Sequence, residues 1–133
     1  MSTICRLLIV DDDDEFLEIL ERRFSRRGFA VAACNNCRDA LEIASQQRFD
    51  AAVVDRSLHG ITGTKLVRQL KALDPGLPVI VLSGWSGAQF DAEARGNGAS
   101  DYLSKPCSLT DLEAAIQRVL RDHAAKLPTA GTV

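Results

Sequence analysis

Residues 7–14 read Leu7-Leu8-Ile9-Val10-Asp11-Asp12-Asp13-Asp14, an unbroken apolar run that stops abruptly in carboxylates. A strand covered by helices on both faces has no solvent side, so it is apolar throughout instead of alternating. The same form returns at Ala51-Ala52-Val53-Val54, followed by Asp55, and at Val79-Ile80-Val81-Leu82, followed by Ser83. These runs are the central strands of a parallel sheet. Segments 29–33 and 99–103 are shorter or more mixed and are expected toward the sheet edges.

Amphipathic stretches separate the runs. Phe16, Leu17, Leu20 and Phe24 recur at spacings of three and four, and Gly28 stands where a helix commonly ends in a left-handed residue. Ala40, Leu41 and Ala44 mark a second helix; Leu66, Val67, Leu70 and Leu73 mark a third, which stops before Asp74-Pro75-Gly76. Residues 86–98 are mostly alanine among their apolar positions, with Phe90 as the one large anchor and Gly87, Gly96 and Gly98 weakening a helix, so a short, loosely held helix is expected. The last helix opens at Ser108 or Thr110, each with an acidic residue three positions on, and carries Leu109, Leu112, Ile116 and Val119. Repeated βα units give an α/β fold with five strands and five helices.

The 133 residues suit one compact domain. It is expected over residues 1–122, with 123–133 as a tail or linker stub. With 46% hydrophobic and 26% charged residues and a net charge of −2, the composition is that of an ordinary globular protein. No basic surplus points to nucleic-acid binding, and the run Arg22, Arg23, Arg26 and Arg27 reads as the solvated face of a helix. No apolar stretch approaches membrane-spanning length and residues 1–6 lack the start of a signal peptide, so the expected location is cytoplasmic, with no membrane partner. Cys5, Cys34, Cys37 and Cys107 are expected as free thiols. A redox role for Cys34-Asn35-Asn36-Cys37 would need a thiolate stabilised at the helix start.

Ligands of an open parallel sheet bind outside the carboxyl ends of its strands. Those ends supply Asp11 and Asp12, Asp55, Ser83 and Lys105. Converging carboxylates repel unless a proton or cation intervenes, and an all-oxygen set with open positions suits Mg²⁺. A hydroxyl and an ammonium facing it suit a phosphoryl group. Asp55, alone at the end of a central strand, is the candidate nucleophile, while the adjacent Asp11 and Asp12 look like metal ligands. Asp13 and Asp14 read as an acidic helix start.

The sequence Leu8-Ile9-Val10-Asp11-Asp12, Val53-Val54-Asp55 with Gly63 beyond it, Val81-Leu82-Ser83, and Tyr102-x-x-Lys105-Pro106 resembles the receiver domain of bacterial two-component response regulators over roughly residues 4–122. The resemblance implies the strand order 2-1-3-4-5. It implies that Asp55 accepts phosphate from a sensor histidine kinase or phosphotransfer protein, and that the domain catalyses its own phosphorylation and dephosphorylation. Asp11 and Asp12 would hold Mg²⁺, Asp12 as the direct ligand ahead of Asp11, joined by Asp55 and the backbone carbonyl of Ser57. Ser83 would close on the phosphoryl oxygens, Tyr102 would turn inward as a switch, and Lys105 would pair with the phosphate. A downstream output partner or domain would read the face of the fourth helix, fifth strand and fifth helix, with the chain a monomer or a weak dimer through that face. The chain departs from the pattern at His59, where the family often has proline; Arg56 and Trp85 are large neighbours that bear on phosphoryl lifetime. Trp85 is expected in a loop beside the site.

Two other functions compete. A small Mg²⁺-dependent phosphatase with an aspartyl nucleophile finds its Asp-x-Asp spacing in Asp11-Asp12-Asp13, but this length leaves no room for a cap domain. A binding module that works without phosphorylation is disfavoured by the intact acidic cluster.

Overall fold

The computed structural model describes residues 4–58, 61–84, 96–105 and 107–126. The strands are β1 (Arg6–Val10), β2 (Ala30–Cys34), β3 (Ala51–Asp55), β4 (Ser57–Leu58), β5 (Ile61–Thr62), β6 (Val79–Ser83) and β7 (Asp101–Ser104). The helices are α1 (Asp14–Arg26), α2 (Cys37–Gln46), α3 (Gly63–Leu73) and α4 (Leu109–Lys126). Five strands form one parallel sheet in the order β2-β1-β3-β6-β7, which is the expected order 2-1-3-4-5. The shorter, mixed segments do occupy its edges.

The central strands are apolar throughout because consecutive residues serve opposite faces. Leu8, Val10, Ala52, Val54, Val79 and Val81 join one buried cluster with Leu66, Val67 and Leu70 of α3. Leu7, Ile9, Ala51, Val53, Ile80 and Leu82 join the other, with Leu17, Leu20 and Phe24 of α1 and Leu112, Ala115, Ile116 and Val119 of α4. Phe24 is fully buried and meets Phe29 edge-on, with ring centroids 5.8 Å apart. Two helical layers thus enclose the sheet, and polar groups on its central strands can reach solvent only at the strand ends.

Local chemistry sets the helix ends. The Asp13 side chain accepts the Phe16 N–H at 3.2 Å and caps α1, while Gly28, at φ +95°, turns the chain out of that helix. Asn36 caps α2 by accepting the Asp39 N–H at 2.8 Å. Of the two openings read for the last helix, Ser108 is the one used, its hydroxyl oxygen accepting the Asp111 N–H at 3.0 Å. The arginine run is less purely solvated than expected. Arg22 pairs with Glu18 on α1, but Arg23 and Arg27 reach Glu113 at 3.5 and 3.6 Å and tie α1 to α4.

Three features differ from the sequence reading. The hairpin of β4 and β5, with Ser57 opposite Thr62 and Leu58 opposite Ile61, was not expected, because two-residue strands carry no periodicity to read. The last strand begins at Asp101, after the positive-φ Gly98, instead of at residue 99. Helix α4 continues past residue 122 to Lys126, consistent with the high helix propensity of Ala124, Ala125 and Lys126. Most of the expected helix at 86–98, together with His59, Trp85, Phe90 and Pro106, lies outside the described residues. No helix among the described residues is long and apolar enough to cross a membrane.

Candidate functional site

β1 and β3 are neighbours in the sheet although a βα unit separates them in sequence, so their carboxyl ends deliver Asp11, Asp12 and Asp55 to one place. One carboxylate oxygen from each lies within 4.8 Å of the others, and these three are the sole such acidic cluster among the described residues. Asp11 is 1% exposed and Asp55 6%, while Asp12 is half-buried at the rim. Register brings the remaining groups to the same edge. Asp55 pairs with Leu82, the residue before Ser83, and Ser83 pairs with Ser104, the residue before Lys105. The Lys105 backbone N–H then donates to the Ser83 carbonyl at 2.6 Å.

Lys105 brings a cation to the site. Its ammonium donates to Asp11 Oδ2 at 2.9 Å and stands 3.4 Å from Asp55 Oδ1. Asp11 Oδ1 in turn accepts the Asp13 N–H at 2.9 Å. Asp55 Oδ1 accepts a longer bond, 3.4 Å, from the Ser57 N–H. Burial, reinforced by the nearby Asp11 charge, pushes the Asp55 carboxyl up to about 6 from its ordinary 3.8, against the opposing pull of Lys105 and the Ser57 N–H. Burial by itself would lower the Lys105 ammonium, but its hydrogen bonds and charge pairing with Asp11 and Asp55 outweigh that and hold it above its ordinary value.

The donor set is all oxygen and sits at the strand ends with Asp12 only half-buried, which suits a hard divalent cation such as Mg²⁺. Ser83 is 2% exposed at the end of β6, and Ser57 is exposed at the start of the hairpin. Tyr102, opposite Val81 in β7, is half-buried against the α2–α3 side of the core.

Asp11, Asp12, Asp55, Ser57, Ser83 and Lys105 thus fall at or beside the carboxyl edge, with Tyr102 within β7, the strand that leads to Lys105; Trp85 and His59 lie outside the described residues. Asp13 does not join the acidic cluster; its carboxylate caps α1. The cysteines are free, and burial, the largest cause at each, raises the Cys34 and Cys37 thiols, the opposite of what a reactive thiolate needs. Two residues read in the sequence only as a spacing and a core position prove to be neighbours of the site. Gly63 lies directly against the Asp55 backbone, and the Phe16 ring lies 5.1 Å from the Lys105 ammonium.

Residues 7–117 match the family described as the response regulator receiver domain. The chain belongs to that family. The receiver domain is 34% identical over 114 residues to the transcriptional regulatory protein ZraR of Escherichia coli (strain K12), covering 86% of this chain and 26% of that one. It is 39% identical over 116 residues to the transcriptional regulatory protein PrrA of Mycobacterium tuberculosis, covering 87% and 50%. The chain therefore spans half or less of these relatives. Among solved structures it resembles a CheY-like response regulator receiver domain protein from Methanospirillum hungatei JF-1, with a TM-score of 0.89, 26% identity, and coverage of 94% of this chain and 100% of that one. A response regulator from Burkholderia pseudomallei, determined with a phosphorylated aspartic acid, calcium ion and citrate, superposes with a TM-score of 0.79 at 30% identity, covering 94% and 76%.

Proposed function

We propose that this receiver domain is a phosphorylation-controlled signalling switch whose phosphoacceptor is Asp55. The observation that carries the reading is the convergence of Asp11, Asp12 and Asp55 with the Lys105 ammonium at the carboxyl edge of the sheet. The Burkholderia relative, with its phosphorylated aspartic acid and calcium ion, supports both the chemistry and the need for a divalent cation.

An Asp55 carboxylate oxygen attacks the phosphorus of a phosphohistidine on a sensor kinase or phosphotransfer protein. A P–O bond forms, the P–N bond breaks, and the imidazole leaves with the bonding pair and takes up a proton, giving an aspartyl phosphate. Asp11, Asp12, Asp55 and the Ser57 carbonyl would hold Mg²⁺, which supplies charge compensation to the carboxylates and the transferring oxygens. Lys105 pairs with one phosphoryl oxygen, exchanging carboxylate contacts for a stronger anion, and the Ser83 hydroxyl donates to another. Hydrolysis of the acyl phosphate by water within the same site restores Asp55.

Closure of Ser83 and Lys105 on the phosphoryl group pulls on the ends of β6 and β7. Tyr102, in β7 between them and the outer face, is the residue that reports this movement. The surface of β7 and α4, together with the helix expected over residues 86–98, carries the output to a downstream partner or domain. The domain extends through α4 to Lys126, works in the cytoplasm, and needs neither a nucleic-acid nor a membrane contact of its own.

Incubation with a small phosphodonor with and without Mg²⁺, followed by intact mass and mapping of the modified residue, tests this reading. One phosphoryl adduct on Asp55, formed only with Mg²⁺, is expected. Label on another residue, or none, overturns it.

A further inference from the structure

We infer that Phe16 is a positioning residue for Lys105: its aromatic face, and not merely its bulk, holds the ammonium against the phosphoryl site. Lys105 ends a flexible four-carbon stem, and its side chain keeps 28% of its exposure. Asp11 and Asp55 bound the ammonium at 2.9 and 3.4 Å, and the Phe16 ring lies 5.1 Å from it by centroid, within the range where a ring quadrupole attracts a cation.

The contacts close into a loop. Lys105 donates to Asp11 Oδ2, Asp11 Oδ1 accepts the Asp13 N–H, Asp13 Oδ1 accepts the Phe16 N–H, and the Phe16 ring returns to Lys105. The cap that starts α1 therefore also fixes where the ring stands. Phe16 is half-buried at the rim of the core cluster that includes Leu17 and Leu112, a place a leucine would fill with similar burial. Burial alone does not require an aromatic residue there, and the neighbouring ammonium gives the ring a second partner.

The functional consequence deepens the phosphoryl-switch reading and rests on it. When Asp55 exchanges its carboxylate charge for a phosphoryl group, Lys105 must change partners without turning to solvent. The ring attracts the cation without competing as an anion, so it can stay in place through that exchange.

The first test uses the metal-free, unphosphorylated domain with ¹³C,¹⁵N-labelled lysine. The chain has Lys65, Lys71, Lys105 and Lys126, and the Lys105 resonances are assigned by their loss in Lys105→Arg. Ring-current-shifted Lys105 ε resonances are expected in the wild type and in Phe16→Tyr, but not in Phe16→Leu. Unshifted resonances in the wild type overturn the proposal whether or not the domain is a phosphoacceptor. The second test is phosphorylation by acetyl phosphate. Phe16→Leu should slow it about two- to fivefold, the range a surface cation–π contact allows, and Phe16→Tyr should restore it. Fluorinated phenylalanines at position 16 keep the ring's shape while draining its quadrupole, so rates should fall with fluorine number; a flat series overturns the electrostatic role. If even the wild type takes no phosphoryl group, the functional reading fails, and the resonance shifts still decide the position of Lys105.

Discussion

Gly63 packs so tightly on Asp55 that a Cβ at position 63 would stand 1.9 Å from the Asp55 carbonyl oxygen and 2.8 Å from its carbonyl carbon. Both obstacles are backbone, in the residue that carries the central carboxylate, so neither can rotate away. The Gly63 N–H also donates to the Arg56 carbonyl, which stitches the start of α3 to the end of β3. Gly63→Ala must push these two segments apart. A loss of roughly 1–3 kcal/mol or more is expected, the range for overpacking, together with slower phosphorylation because Asp55 moves with its backbone. Urea unfolding and a phosphodonor assay check both; a variant of wild-type stability would mean the α3 start yields freely.

Asp55 makes stability depend on pH. Its carboxyl binds a proton more tightly in the folded chain, at about 6, than at its ordinary 3.8, so ionisation costs the folded state. That cost is fully present above about 6, shrinks as pH falls, and is gone below 3.8. Asp55→Asn removes it and should stabilise the domain at pH 7 by on the order of 2 kcal/mol, with a much smaller gain at pH 4. It should also abolish phosphorylation, since an amide is a poor nucleophile. Equal stability gains at both pH values, read from denaturant midpoints, would contradict the assignment.

Asp12, the least buried of the three carboxylates, tests the metal site with least disturbance of the core. Mg²⁺ should raise the melting temperature of the wild type, because a ligand that binds only the folded state stabilises it by mass action. Asp12→Ala should melt somewhat higher than the wild type without metal, having lost one of three crowded carboxylates, and should respond weakly to Mg²⁺. An undiminished Mg²⁺ response in the variant would exclude Asp12 from the ligands.

Ser83 and Lys105 are joined through the 2.6 Å bond from the Lys105 N–H to the Ser83 carbonyl, so their side chains sense the site from one shared strand edge. Ser83→Ala and Lys105→Ala should each retain some phosphorylation but uncouple it from the outer face. Hydrogen exchange over residues 86–98, β7 and α4, compared with and without beryllofluoride, reads this directly. Wild-type protection differences in both variants would refute the coupling.

Much of this protein is local information. Apolar runs at 7–10, 51–54 and 79–82 state that their strands are covered on both sides, and the polar residue that ends each run states which edge carries chemistry. Strand order came from resemblance to a family, since periodicity does not say which strands are neighbours, whereas the candidate roles of Asp55, Ser83 and Lys105 were already legible in the chemistry of the strand ends and the resemblance made them specific. Tertiary structure decided what depends on groups distant in sequence meeting at contact range. Lys105 meets Asp11 across 94 residues, and that meeting turns a run of four aspartates into distinct parts: Asp11 buried and paired, Asp12 at the rim, and Asp13 spent on a helix cap. Gly63 and Phe16 read in the sequence as a spacing and a core position. Only packing reveals that one leaves no room for a Cβ against Asp55 and that the other faces a cation, because excluded volume and a ring's quadrupole act over a few ångströms of space, whatever the distance along the chain.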